Sequence, residues 1–237
     1  MPGSALKSVA RRLIFQNAPR IFLISLIYVT LTALVSWLAV RLPGSISMSG
    51  INSRLASGEI PSLAILYSDF RPIGVFLALL MFMLQPFLDV GFMSICLKVK
   101  REVVTDIKDL FNGFIFFIKV LTIFLITTIY IFLWSLLLII PGIIAAYRYR
   151  QAYYILIDDP RKSALQCISE SALIINGRKL DLFIIDISFI GWFALDIIVY
   201  LLIPLPFAIP VVSIWLSLYL GLTRAAFYED LISGAAV

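Results

Sequence analysis

The sequence predicts an all-α protein, a six-span transmembrane helical bundle, and three observations carry that expectation. Of the 237 residues, 62% are hydrophobic and only 14% are charged, whereas a soluble domain carries about a quarter charged residues. The hydrophobic residues are gathered into runs near the length of about 20 residues that a helix needs to cross a bilayer. The basic residues sit to one side of those runs. Twelve of the 19 Lys and Arg fall in three segments of four each, against three in or beside the segment expected opposite. That asymmetry marks cytoplasmic loops. It predicts a multi-pass protein of the cytoplasmic (inner) membrane with both termini cytoplasmic, residues 1–237 forming a single integral membrane domain.

Residues 5–16 place Leu6, Val9, Ala10 and Leu13 on one stripe, with Lys7, Arg11 and Arg12 off it, the spacing of a helix lying at the membrane interface. Asn17-Ala18-Pro19 breaks that helix before the first span, residues 21–40. This run is longer than a signal-peptide core and ends in Arg41-Leu42-Pro43 without a small-residue cleavage site, so it reads as a retained span. Residues 42–70, rich in Ser, Gly and Pro, form the expected external segment. The second span, 72–97, contains Pro86 and Asp89 and ends at Lys98, Lys100 and Arg101. A second interfacial helix is expected over 101–112, with Val103, Ile107, Leu110, Phe111 and Phe114 on one face.

The third span, 114–140, is followed by Pro141-Gly142, read as the reversal into a fourth span over 142–158. Asp159-Pro160 then offers an N-cap and a first-turn proline for a third interfacial helix over 160–175, with Leu165, Ile168, Ala172 and Ile175 on one side and Asn176-Gly177 as its stop. The fifth and sixth spans, 180–203 and 207–231, are joined by a turn at Pro204-Leu205-Pro206.

An internal repeat runs through this order. LIFQNAPRIFLI, DLFNGFIFFIK and LIINGRKLDLFII each join an amphipathic segment, an Asn followed by a small residue, and a span. Arg150-Gln-Ala-Tyr-Tyr154 aligns with Arg224-Ala-Ala-Phe-Tyr228. These matches predict three pseudo-repeats of interfacial helix plus transmembrane hairpin, the first copy degenerate.

Charged residues inside the spans set the candidate site. At ~1.5 Å per residue, Asp89, Lys119, Arg150 and Asp186 each lie roughly 9 to 14 Å inside the inner boundary. Arg224 sits near that level and Arg148 slightly deeper, while Asp196 lies about 15 Å further out. Tyr147, Arg150 and Tyr154 share a helix face, and Arg224 with Tyr228 repeats the pairing. The candidate intramembrane polar network is therefore Asp89, Lys119, Tyr147, Arg148, Arg150, Tyr154, Asp186, Arg224 and Tyr228. Its members read either as structural ion pairs or as the lining of a polar cavity open to the cytoplasm. Lys119 and Arg224 also have the option of snorkelling.

The chain contains no histidine, which removes the commonest general base and zinc ligand. It also lacks a nucleophile elbow, a phosphate loop and any metal-ligand spacing. No catalytic residue, metal or cofactor is expected, and the chain reads as a non-enzyme. Cys96 and Cys167, near ends placed in the cytoplasm, are expected to be unpaired.

The stretches DLFNGF (109–114), LWSLLLIIPGIIAAYRYRQAYYILIDDP (133–160) and SESALIINGRKLDLFIIDISFIGW (169–192) resemble a bacterial and archaeal family of polytopic integral membrane proteins of unknown function. They are also distantly similar to the membrane domain attached to some glycerophosphodiester phosphodiesterases. The resemblance covers about residues 72–230 and implies the six-span topology without an activity. Two functions stay open. One is a small transporter, channel-like protein or transporter partner built on the charged layer. The other is a non-catalytic membrane-organising or lipid-binding scaffold. The expected partners are membrane lipids with anionic headgroups, with a homo-oligomer or a transporter as further possibilities and no nucleic acid, since the basic residues lie in loops beside the spans.

Overall fold

A chain rich in apolar residues must satisfy its backbone hydrogen bonds internally if it is to sit in lipid, and helices do this within one segment. The computed structural model describes residues 2–41, 72–202 and 211–235, and helix is the only regular structure among them. The expected external segment 42–70 and the expected turn at Pro204-Leu205-Pro206 lie outside the described residues.

In order, the helices are α1 (Gly3–Gln16), α2 (Arg20–Arg41), α3 (Pro72–Lys100), a 3-10 turn (Ile107–Phe111), α4 (Asn112–Ile115), α5 (Phe117–Leu137), α6 (Ile139–Tyr149), α7 (Ala152–Asp158), α8 (Ala164–Ile174), α9 (Lys179–Ile187), α10 (Ile190–Leu202) and α11 (Val211–Ala235). Among the described residues four stretches are long and apolar enough to cross a membrane: Arg20–Leu38, Val75–Lys100, Phe117–Leu137 and Lys179–Val199. The expected fourth and sixth spans are not among these four: the fourth is divided between α6 and α7, and the sixth overlaps α11, which carries Arg224, Glu229 and Asp230.

The chain divides into two compact units, residues 1–29 with 86–237, and residues 30–85. α2 and α3 contribute to both, and on α3 the division falls at Pro86, which cannot donate to the helix ladder. In the smaller unit Leu34, Trp37, Phe76, Leu79 and Phe82 are exposed apolar side chains of the kind lipid covers.

The larger unit carries the site. Lipid tails are as apolar as leucine, so helices in a membrane gain little from apolar contact alone and are joined by close backbone approach and polar links. Gly91 and Gly113 supply the first. A Cβ on Gly91 would lie 1.7 Å from the Leu110 carbonyl oxygen, and one on Gly113 would lie 2.1 Å from that of Phe87. The two glycines thus press α3 and the 107–115 segment together backbone to backbone. Ser25 supplies a polar link, its hydroxyl 2.9 Å from the Ile214 carbonyl and 2.8 Å from the Ser217 hydroxyl, tying α2 to α11.

α1 spends its apolar stripe on protein. Leu6, Ala10, Leu13 and Ile14 are buried, and α1 packs along α11. The segment 101–112 departs from the helix its pattern predicts. Glu102 has φ 59°, and helix is absent from Val103 to Asp106. A capping box between Asp106 and Asp109 then starts the 3-10 turn. The β-branched run Val103-Val104-Thr105 disfavours helix there.

Two further boundaries shift. The reversal after α5 falls at Leu138, whose backbone is extended, with Pro141 and Gly142 inside the first turn of α6. Proline fits a first helical turn because its missing N–H needs no partner there. α8 begins at Ala164, capped by Ser163 with Gln166 in a capping box, rather than at Asp159-Pro160. Its buried face is Ala164, Cys167, Ile168 and Ser171, whereas Leu165 points out. Small side chains make that face, which a count of large apolar residues overlooks. Both cysteines are free and buried.

Candidate functional site

The helix carrying Arg150 is interrupted beside it, and one serine does the interrupting. An uninterrupted helix would bond the Gln151 N–H to the Tyr147 carbonyl. Here that N–H donates to the Ser171 hydroxyl at 3.1 Å, and the same hydroxyl donates to the Arg148 carbonyl at 2.8 Å. Ser171 is fully buried on α8. It holds α6 and α7 as separate helices and fixes Arg150 at their junction. A second interruption lies at Ser188-Phe189, between α9 and α10, two residues beyond Asp186.

Asp186 stands between the two breaks. Its Oδ2 accepts from the Tyr147 hydroxyl at 3.0 Å and from Arg150 Nη1 at 2.8 Å. Its Oδ1 accepts from Arg224 Nε at 3.1 Å and Nη2 at 3.0 Å. A carboxylate offers about four lone-pair positions, and four donors occupy them. The group is mostly enclosed, the Asp186 side chain being 13% exposed. Two guanidiniums on one carboxylate leave a positive excess.

That excess is offset a short distance along the same helices. The Tyr154 and Tyr228 rings stack at 5.0 Å, which brings the two Arg-x-x-x-Tyr pairs of α6–α7 and α11 side by side. Tyr228 donates to Asp158 Oδ2 at 2.8 Å. Asp158 also receives Arg101 Nη1 at 2.7 Å and Nη2 at 3.0 Å, and Arg101 Nε reaches Glu229 at 2.6 Å. This second group has one cation and two carboxylates, so across both groups the formal charges balance.

The remaining predicted site residues lie elsewhere. Asp89 Oδ1 accepts from the Tyr28 hydroxyl at 2.8 Å, and the Tyr28 ring stacks on Phe92 at 4.2 Å. Lys119 reaches away from Asp186 and donates to the carbonyls of Pro160 and Lys162, just past the end of α7. These carbonyls belong to the linker between α7 and α8, so Lys119 ties α5 to that linker. Arg148 is exposed, its guanidinium 5.7 Å from the Tyr149 ring centroid. Asp196 accepts from Ser213 at 2.5 Å, apart from the Asp186 group.

Residues outside the predicted set complete the arrangement. Arg101, Asp158 and Glu229 sit at helix ends, where a sequence offers no sign that a charge faces inward. Arg178 joins them, bonding Asp181 at 3.1 Å and Asp230 at 2.8 Å. Through these pairs the end of α3, the end of α7, the start of α9 and the end of α11 meet at one side. Among the described residues no cluster of His, Cys, Asp or Glu could hold a metal ion.

Residues 135–235 match the family model described as "Protein of unknown function (DUF975)". Neither the curated proteins nor the solved structures yielded a match. The matched region contains α6 to α11, and with them Tyr147, Arg150, Asp186 and Arg224.

Proposed function

We propose that the chain is a non-catalytic, lipid-contacting scaffold of the cytoplasmic membrane, with Asp186 as an internal fastening rather than a pathway. The observation that carries this reading is the filled coordination of Asp186. All its acceptor positions are taken by Tyr147, Arg150 and Arg224, so it has no lone pair left for a solute. Arg11, Arg12 and Lys108 are exposed and, among the described residues, form no ion pair. They are among the cations available to anionic headgroups, each worth about 1 kcal/mol near such a surface.

The same reading takes α6–α7 as one interrupted crossing, since 20 residues at ~1.5 Å each span the ~30 Å hydrocarbon core, and α11 as another. Six crossings then place both termini on the cytoplasmic side, where the paired helix ends meet. The alignment of Arg150 and Tyr154 with Arg224 and Tyr228 favours the pseudo-repeat.

The test uses the full chain in nanodiscs containing phosphatidylglycerol. Retention of that lipid is expected to fall as salt rises from ~0.1 to ~1 M, where the screening length shrinks from about 10 to about 3 Å. The combined variant Arg11→Gln, Arg12→Gln, Lys108→Gln should lower it further. Retention indifferent to salt and to these substitutions overturns the reading.

Transport is a second reading, favoured by the two helix interruptions that flank Asp186, a feature of solute sites in transporters. It requires solute flux that disappears when Arg150, Asp186 and Arg224 are all replaced by apolar residues.

A further inference from the structure

α3 ends in a Schellman arrangement. The Glu102 N–H bonds the Val99 carbonyl at 3.1 Å, and the Val103 N–H bonds the Lys98 carbonyl at 2.9 Å. Such a cap requires a left-handed residue, a position that glycine normally fills. Here it is Glu102, with φ 59°. The choice breaks two local rules at once: a side chain occupies a conformation disfavoured for it, and a negative charge sits at the negative end of a helix. Residues that break local rules without local compensation concentrate at functional sites.

Glu102 lines a cavity of about 480 Å³ together with Arg20, Asn17, Val103, Val104 and Thr105. Arg20 and Glu102 are both exposed, and among the described residues neither has an ion-pair partner. They face the same space without neutralising each other. Thr105 adds a polar residue to the same lining, and it is mostly buried, with 8% of the residue exposed. Beside it Val103 and Val104 are exposed, at 53% and 80%.

The position of the cavity limits what it takes. Arg20 opens one apolar stretch of membrane-crossing length, and Glu102 follows another that ends at Lys100. The cavity therefore lies where hydrocarbon gives way to headgroups. One cation and one carboxylate in a single cavity do not select a simple anion, because Glu102 would repel it. They fit a zwitterion that carries a phosphate for Arg20 and a hydrogen-bonding ammonium for Glu102.

From this geometry we propose that the Arg20–Glu102 cavity binds the headgroup of a phospholipid with a primary amine, of the phosphatidylethanolamine class. The phosphodiester lies against Arg20, the ammonium donates to Glu102, Thr105 bonds a headgroup oxygen, and Val103 and Val104 meet the glycerol end of the chains. A choline headgroup has no N–H to donate and is the poorer ligand. This rests on the lipid-contacting reading above and adds a defined site to it.

The test is native mass spectrometry of the full chain from nanodiscs of equimolar phosphatidylethanolamine, phosphatidylcholine and phosphatidylglycerol. The wild type is expected to retain the ethanolamine lipid at least about threefold over the choline lipid, a modest difference in binding free energy. Glu102→Gln should bring that ratio to unity, and Arg20→Gln should lower retention of both. Glu102→Gly suits the left-handed backbone, so it should melt no lower than the wild type while losing the preference, which separates lost binding from lost folding. Soluble phosphoethanolamine should compete only weakly, since it lacks the chains. Equal retention of the two zwitterionic lipids by the wild type, or a preference that survives in Glu102→Gly, overturns the site. Salt-sensitive retention of phosphatidylglycerol is read separately, so failure of this site and failure of the scaffold reading are distinguishable.

Discussion

Asp186 and Glu102 are both carboxylates in the larger unit, and their surroundings are opposites. Asp186 lies on one interrupted helix and faces another, with all its acceptor positions filled by Tyr147, Arg150 and Arg224. Glu102 lies on a strained turn, exposed, facing Arg20 across a cavity without bonding it. The first arrangement consumes charge internally, and the second leaves charge available. The difference teaches that depth in the membrane does not by itself mark a binding site. What marks one is charge the fold has not already used.

The sharpest way to break that comparison is to remove the Asp186 charge. Asp186→Asn keeps the shape but leaves two guanidiniums facing each other with no carboxylate. Breaking a buried ion pair from one side costs about 3–5 kcal/mol, so a large drop in thermal stability in detergent is expected. Replacing all three charges together, Arg150→Met, Asp186→Leu and Arg224→Met, should recover much of that loss, because no uncompensated charge then remains. A single Asn substitution that leaves the melting temperature unchanged would remove Asp186 as a fastening. A triple variant that stays folded but loses solute flux would turn the argument toward transport.

Much of the Asp186 group was legible in the sequence. Counting residues from the span ends placed Arg150, Asp186 and Arg224 near one level, helix-face spacing set Tyr147 beside Arg150, and these four meet. The same count placed Asp89 and Lys119 at that level and Arg148 slightly deeper, but depth along a helix says nothing about azimuth. Tyr28 meets Asp89, Lys119 turns to the carbonyls past α7, and Arg148 faces outward. Arg101, Asp158 and Glu229 were missed because charges at span ends look like ordinary loop charges. Glu102 was missed for a different reason. Its signal is a left-handed φ, which no periodicity reports. Four stretches of crossing length could be read from hydropathy, whereas the division of α6 from α7 depends on Ser171, on another helix.

Ser171 gives the middle-sized test. Ser171→Ala deletes the hydroxyl that serves both the Gln151 N–H and the Arg148 carbonyl. Either the break persists with two unsatisfied backbone groups, or α6 and α7 join and Arg150 is turned away from Asp186. A loss of about 1–3 kcal/mol is expected for a buried group left without its partner. Ser171→Cys, which keeps a weak donor and acceptor, should fall between. If Ser171→Ala matches the wild type in a thermal melt, the serine does not maintain the interruption, and Arg150 is placed by α6 alone.

The smallest effect concerns a carboxylate intermediate between the two extremes. Asp109 caps the 3-10 turn by accepting the Asp106 N–H at 2.9 Å, and it also pairs with Lys98 at 2.7 Å. Partial burial pushes its carboxyl up, but the Lys98 ammonium, the Asp106 N–H and Asn112 together outweigh burial and hold it below the usual carboxylate range. A pKa lowered by folding means that the folded state binds the proton less tightly than the unfolded chain. The stabilisation is therefore fully present above the unfolded value, about 3.9, and is lost as pH falls below it through the folded value. Asp109→Asn should cost about 1 kcal/mol at neutral pH. It should also flatten the part of the acid-side decline in stability that Asp109 contributes below about pH 4. Parallel wild-type and variant stability curves from pH 7 down to about pH 3 would show that Asp109 carries no linked proton, and that the turn is held by the Gly91 and Gly113 contacts instead.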